Sequence, residues 1–106
     1  MILLPDGHLY EGEWDALTNK RHGRGFAVWP NGSIYEGYYK NDMANGRGRF
    51  IYDDGSIYEG NMKNNECHGL GKCKYSNGAQ YEGQWKFNNF HGKGKYVWAD
   101  GRIYSG

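Results

Sequence analysis

The sequence predicts an all-β fold, a solenoid-like ribbon of consecutive antiparallel β-hairpins with one hairpin per 23-residue unit. Two observations carry this. All 18 glycines fall into four columns of one repeating unit: Gly12, Gly37, Gly60, Gly83, Gly106; Gly23, Gly46, Gly69, Gly92; Gly25, Gly48, Gly71, Gly94; and Gly7, Gly32, Gly55, Gly78, Gly101. Within the unit, apolar and polar residues alternate with period two, the pattern of a half-buried strand, and no window shows a helical period. A unit of this size cannot bury its apolar face alone, so the chain is built by stacking.

The leading tyrosines Tyr10, Tyr35, Tyr58, Tyr81 and Tyr104 set the units. They divide the chain into a half repeat 1–9, full repeats 10–34, 35–57, 58–80 and 81–103, and the start of a further repeat 104–106, all in one array. The first full repeat is two residues longer, and its extra residues are expected in a loop within Asp15 to Arg21, because a tip tolerates length changes best. In the second repeat, Tyr35, Gly37 and Tyr39 share one face of a strand while Glu36 and Tyr38 share the other. Lys40 to Asn45 supplies turn residues. Gly46 to Tyr52 then alternates again, and Asp54-Gly55 closes the unit with a strong hairpin signal that Asn31-Gly32, Asn77-Gly78 and Asp100-Gly101 repeat. Glycines of the closing turn are expected to supply positive φ, and those inside strands to leave bare backbone on which rings can lie. At roughly 4.8 Å per strand, four units should span on the order of 40 Å.

The rings are in register too. Tyr10, Tyr35, Tyr58, Tyr81 and Tyr104 form one column, Trp14, Tyr39, Met62 and Trp85 a second, and Trp29, Tyr52, Tyr75 and Trp98 a third. With 17% aromatic residues in a chain of mean hydropathy −0.95, aromatic-on-glycine packing takes the place of aliphatic layers. On the opposite face, pairing Gly37 with Gly48 places Glu36 by Arg49, Glu59 by Lys72 and Glu82 by Lys95, and the same register sets Glu13 by Arg24.

Bulk charge narrows the function classes. Thirteen basic and twelve acidic residues are interspersed, giving a net charge of +1 that argues against nucleic acid as a partner. The longest apolar run, Met1 to Leu4, is too short for a membrane span, and two cysteines fit a reducing, cytoplasmic compartment. Cys67, His68 and Cys73 could be read as metal ligands, but each occupies an ordinary repeat column and no fourth ligand stands near, so no metal site or cofactor is expected. The glutamates of the Tyr-Glu-Gly triplets recur in every full repeat, which marks structure; a catalytic pair needs two unlike environments. No enzyme is expected.

The string Tyr81-Glu-Gly-Gln-Trp-Lys86, a short polar turn, His91-Gly-Lys-Gly-Lys-Tyr96 and Asp100-Gly101 closely resembles the MORN (membrane occupation and recognition nexus) repeat, and the likeness covers essentially the whole chain. Local departures are the insertion in the first repeat, Met62 for an aromatic, Leu70 for a basic residue and Ser105 for Glu. The resemblance implies a β-hairpin scaffold that binds a partner helix or extended segment along an aromatic groove, with some members associating end to end. It also implies a cytoskeletal setting, by analogy a ciliary or axonemal one such as the radial spoke. Trp14, Trp29, Tyr39, Tyr52, Trp85 and Trp98 are the expected partner-binding residues. The alternatives are a phosphoinositide-dependent membrane tether, using Arg47, Arg49, Lys72, Lys93 and Lys95, and a regulatory repeat region of a larger enzyme. Pro5-Asp6-Gly7 reads as the tail of a unit and Tyr104-Ser105-Gly106 as the opening of one, so the chain is expected to be a segment of a longer protein or to be capped by neighbours.

Overall fold

The computed structural model describes residues 2–106; Met1, in the opening half repeat, lies outside them. The described residues form a single open antiparallel sheet of ten strands in strict chain order. These are β1 (Ile2–Leu3), β2 (Leu9–Asp15), β3 (Lys20–Val28), β4 (Ile34–Lys40), β5 (Met43–Ile51), β6 (Ile57–Lys63), β7 (Glu66–Lys74), β8 (Gln80–Lys86), β9 (Asn89–Val97) and β10 (Ile103–Ser105). Every strand pairs only with its sequence neighbours, and the sheet extends 48 × 25 × 16 Å, as expected of hairpins laid side by side.

The glycine pairs set the register. Gly12 faces Gly25, Gly37 faces Gly48, Gly60 faces Gly71 and Gly83 faces Gly94. Across each pair lies the ring of the tyrosine two residues earlier. An ideal Cβ on Gly25 would sit 2.6 Å from the Tyr10 ring, and one on Gly48 would sit 2.6 Å from that of Tyr35. The hydroxyl reaches past the glycines to a backbone carbonyl. Tyr10 donates to Glu13 O at 2.8 Å, Tyr35 to Tyr38 O at 2.9 Å, Tyr58 to Asn61 O at 2.7 Å and Tyr81 to Gln84 O at 2.9 Å. The core is therefore built on tyrosines lying flat on bare backbone, of which Tyr10, Tyr35 and Tyr58 are fully buried, with Tyr39, Met62, Cys67 and Trp85 buried beside them.

The two margins of the sheet turn differently. Along one margin, Asn41-Asp42, Asn64-Asn65 and Phe87-Asn88 make two-residue turns with positive φ at both positions, the geometry whose twist matches antiparallel strands. The first full repeat has 16–19 there instead, so its insertion is at the tip. Along the other margin, each loop takes positive φ at its glycine, Gly7, Gly32, Gly55, Gly78 or Gly101. The Asp or Asn before each glycine accepts a hydrogen bond from the N–H two residues ahead of it, as in Asn31 with Ser33 at 2.9 Å and Asp54 with Ser56 at 2.8 Å.

Three expectations need correction. The turn expected over Lys40 to Asn45 closes within Asn41-Asp42, so Met43, Ala44 and Asn45 already belong to β5. Glycine has a third role, because Gly23, Gly46, Gly69 and Gly92 also have positive φ. They lie at a bulge where Tyr38, for example, stands between the pairs Gly37–Gly48 and Tyr39–Ala44, facing three residues of β5. The bulge also displaces Glu13. Its Oε1 accepts the backbone N–H of Arg24 at 2.8 Å and does not reach the guanidinium.

Between units, the margin of tight turns is stitched by a device with a spacing of 21 residues. Asp42 Oδ1 accepts from Arg21 N–H at 2.7 Å, while Asp42 N–H donates to Arg21 O at 3.0 Å. Asn65 makes the same pair of bonds with Ala44, and Asn88 with Cys67. Among the described residues the other margin carries a single bond between loops, Ser76 N–H to Ser56 Oγ at 3.1 Å.

Candidate functional site

One face of the sheet is aromatic and the other is charged, because residues alternate along every strand. On the aromatic face the second ring column bridges units. Tyr39 stands edge-on to Tyr10 at 5.2 Å and to Tyr35 at 5.3 Å, and Trp85 does the same between Tyr58 at 5.2 Å and Tyr81 at 5.1 Å. Trp85 is further fixed by its indole N–H, which donates to Gly71 O at 3.0 Å. Tyr39 and Trp85 are buried, so they form the floor of this face. Trp14, Trp29 and Tyr52 are half-buried and Trp98 is exposed, so these four present ring surface to solvent. Burial pushes the Tyr39 hydroxyl up to about 12 and raises those of Tyr35, Tyr52, Tyr58 and Tyr75 further.

Two clefts open on this face. One, of about 480 Å³, lies between Tyr81, Phe90, Tyr96, Trp98 and Tyr104. The other, of about 300 Å³, lies in the third repeat between Tyr52, Tyr58, Cys67, Cys73, Tyr75 and Trp85. Sequence reading missed the second cleft. Its signal was present in the columns: Cys67 stands where other repeats have Arg21, Ala44 and Phe90, and Cys73 where they have Ala27, Phe50 and Tyr96. Only the third repeat has cysteine at both positions.

The opposite face carries a row of alternating charge that crosses six strands. Glu36 pairs in register with Arg49, Arg49 with Glu59, Glu59 with Lys72, Lys72 with Glu82, and Glu82 with Lys95. Arg49 Nε approaches Glu59 Oε1 at 3.2 Å. Both side chains are about half exposed, so the ion pair contributes only a few tenths of a kcal/mol. Arg47 and Lys93 stand outside this row; Arg47 faces Asn61, and the Lys93 N–H bonds Gln84 Oε1 at 3.3 Å. The five residues singled out for lipid thus share one face, with glutamates interleaved among three of them.

The cysteines and His68 do not converge. Cys67 and Cys73 are buried free thiols on the aromatic face, and burial pushes the Cys67 thiol up to about 11. Among the described residues no group of three or more His, Cys, Asp or Glu is placed to hold a metal ion.

The MORN repeat family matches residues 18–34, 35–57, 58–80 and 81–101, most of the chain. The chain belongs to the MORN repeat family. MORN arrays are all-β repeat modules of protein interaction or membrane association, typically without catalysis of their own. Alsin of Rattus norvegicus and alsin of Homo sapiens are each 44% identical to this MORN array over 34 residues, 32% of this chain and 2% of theirs. The match thus spans a small fraction of those relatives' length. Among solved structures, the SAS-4 (dCPAP) TCP domain of Drosophila melanogaster, in complex with a proline rich motif of Ana2 (dSTIL), is similar with TM-score 0.48 and 16% identity over 97% of this chain and 68% of that one. No helix among the described residues is long and apolar enough to cross a membrane.

Proposed function

We propose that this MORN array is a non-catalytic scaffold that docks partner proteins along its aromatic face, as part of a cytoskeletal assembly such as a cilium. The observation that carries the reading is the contrast between the two faces. The aromatic face offers half-buried rings and two ring-lined clefts, whereas the clefts of the opposite face are lined by its own charge row, whose acidic and basic members largely neutralise one another. Rings held rigid by a packed floor provide large contact area at little entropic cost, which is what interface hot spots require. Trp14, Trp29, Tyr52 and Trp98 supply that contact, seated on Tyr10, Phe50 and Tyr96, while Tyr39 and Trp85 pack the floor.

The test is partner capture by the full-length protein. Trp29→Ala together with Trp98→Ala should abolish capture while far-ultraviolet circular dichroism stays unchanged. Arg49→Ser with Lys72→Ser, on the other face, should leave capture intact. Capture unaffected by the tryptophan changes would refute the reading. Salt-sensitive flotation on vesicles containing phosphatidylinositol 4,5-bisphosphate, lost with Arg47→Ser and Lys93→Ser, would transfer the function to the charged face.

A further inference from the structure

We propose that the cleft of the third repeat, floored by Tyr58 and Trp85 and rimmed by Asp53 and Asp54, seats the guanidinium of an arginine presented by the docked partner. This deepens the aromatic-face reading and rests on it.

The molecule already contains a filled version of the site. In the first repeat Arg21 lays its guanidinium 5.7 Å from the Tyr10 ring centre and 5.1 Å from that of Tyr39. Its Nε reaches Asp42 Oδ1 at 3.3 Å, NH2 donates to Asp42 O at 2.9 Å, and NH1 donates to His8 Nε2 at 2.9 Å. Moved along the array by two repeats, Tyr10 becomes Tyr58, Tyr39 becomes Trp85, His8 becomes Ser56 and Arg21 becomes Cys67. The third repeat therefore keeps the rings and lacks the side chain that covers them.

The neighbouring repeats cover these rings from within, and the cleft that the fourth still leaves beside Phe90 has no acidic side chain in its lining. In the second, Phe50 packs 5.4 Å from Trp29 and 4.6 Å from Tyr52. In the fourth, Phe90 stacks on Tyr81 at 4.0 Å. With Cys67 and Cys73 at both filling positions, the third repeat leaves about 300 Å³ open.

Charge selects the occupant. The lining includes two carboxylates and neither lysine nor arginine. Asp54 is fixed by the Ser56 N–H at 2.8 Å, a bond that also holds its carboxyl below the usual 3.8, so it is ionised at neutral pH. Ring faces attract a cation, and a planar guanidinium can stack on them while its fork meets a carboxylate. Lysine, a compact and strongly hydrated charge, satisfies only part of that environment. Asn88 stands by this cleft where Asp42 stands by Arg21, so the countercharge must come from the loop carboxylates, at the cleft mouth where a partner enters.

The probe is the tripeptide acetyl-Gly-Arg-Gly-amide, titrated into the 15N-labelled chain and followed by amide chemical shifts. Saturable shifts confined to 52–56, 67, 73–75 and 88 are expected, with the lysine and leucine counterparts binding about tenfold more weakly. Cys67→Arg, which restores the filling of the first repeat, should remove the saturable shifts and leave the rest of the spectrum in place. Asp53→Asn with Asp54→Asn, both exposed and with the turn bond preserved by asparagine, should weaken binding about tenfold. Equal binding of the leucine or lysine peptide, shifts scattered over the sheet, or unchanged affinity in the Asp pair overturns the proposal, even if Cys67→Arg proves unable to fold. In the capture assay, a partner lost with the Trp29 and Trp98 changes but retained by a folded Cys67→Arg removes the arginine seat and leaves the docking surface. A partner retained by every variant removes both.

Discussion

Replacing Gly48 by alanine should destabilise this sheet, although glycine inside a strand ordinarily costs roughly 0.5–1 kcal/mol relative to alanine. The new methyl would lie 2.6 Å from Cε1 of Tyr35, where ordinary contact begins near 3.4 Å. Tyr35 is 1% exposed and tied by its hydroxyl to Tyr38 O at 2.9 Å, so the ring must rise off the sheet and loosen that bond. Overpacking of this kind costs about 1–3 kcal/mol and the weakened hydrogen bond about 1 more, giving a net loss of about 2–3 kcal/mol after the alanine gain. Gly55→Ala is the control. Nothing lies within 4 Å of its added methyl, so only the positive φ of 92° opposes it, at about 1 kcal/mol. Urea unfolding followed by tyrosine and tryptophan fluorescence should rank the midpoints wild type, Gly55→Ala, Gly48→Ala. The causal step is checked by a double-mutant cycle with Tyr35→Leu, which should recover at least about 1 kcal/mol of the Gly48→Ala cost. A Gly48→Ala protein as stable as the wild type, or a cycle with no coupling, would refute ring-on-glycine packing as the basis of the core.

Phe87 takes φ 50° at a turn position that Asn41 and Asn64 fill in the neighbouring repeats, so Phe87→Asn should stabilise by about 1 kcal/mol, read as a raised urea midpoint. Asn65→Gly keeps the positive φ of 69° but removes the bond to the Ala44 N–H, so amide exchange at Ala44 should accelerate about fivefold or more while exchange in β8 is unchanged. Alkaline pH should also weaken the fold. The folded-state pKa of Cys67 is raised by burial from 9.0 to about 11, so its contribution is complete below pH 9 and is lost as pH rises towards 11, with a slope approaching about 1.4 kcal/mol per pH unit. Cys67→Ala should flatten that part of the stability profile; an unchanged slope would exclude Cys67 as its source.

Features that repeat were legible in the sequence, and features set by one residue's geometry were not. Columns of glycine and tyrosine gave the strand order, the Gly37–Gly48 register and the Glu59–Lys72 neighbours, since a two-residue period leaves little freedom once the glycine pairs face each other. The bulge at Gly46 escaped because glycine in a strand has the same letter whether it serves φ or close approach. The 21-residue bonds of Asp42, Asn65 and Asn88 escaped because asparagine and aspartate in a turn already had a local explanation. Burial of Tyr39 and Trp85 depends on which neighbouring ring they meet edge-on, and alternation alone only assigns them a face.

The reciprocal bonds of Asp42, Asn65 and Asn88 make the two long sides of this molecule mechanically unequal. One side is cross-tied from turn to turn, and the other is held by strand pairing up to its loops together with the Ser76–Ser56 bond. The seam therefore fixes the distance from one tight turn to the next, and with it the pitch at which a ligand lying across the units meets successive rings.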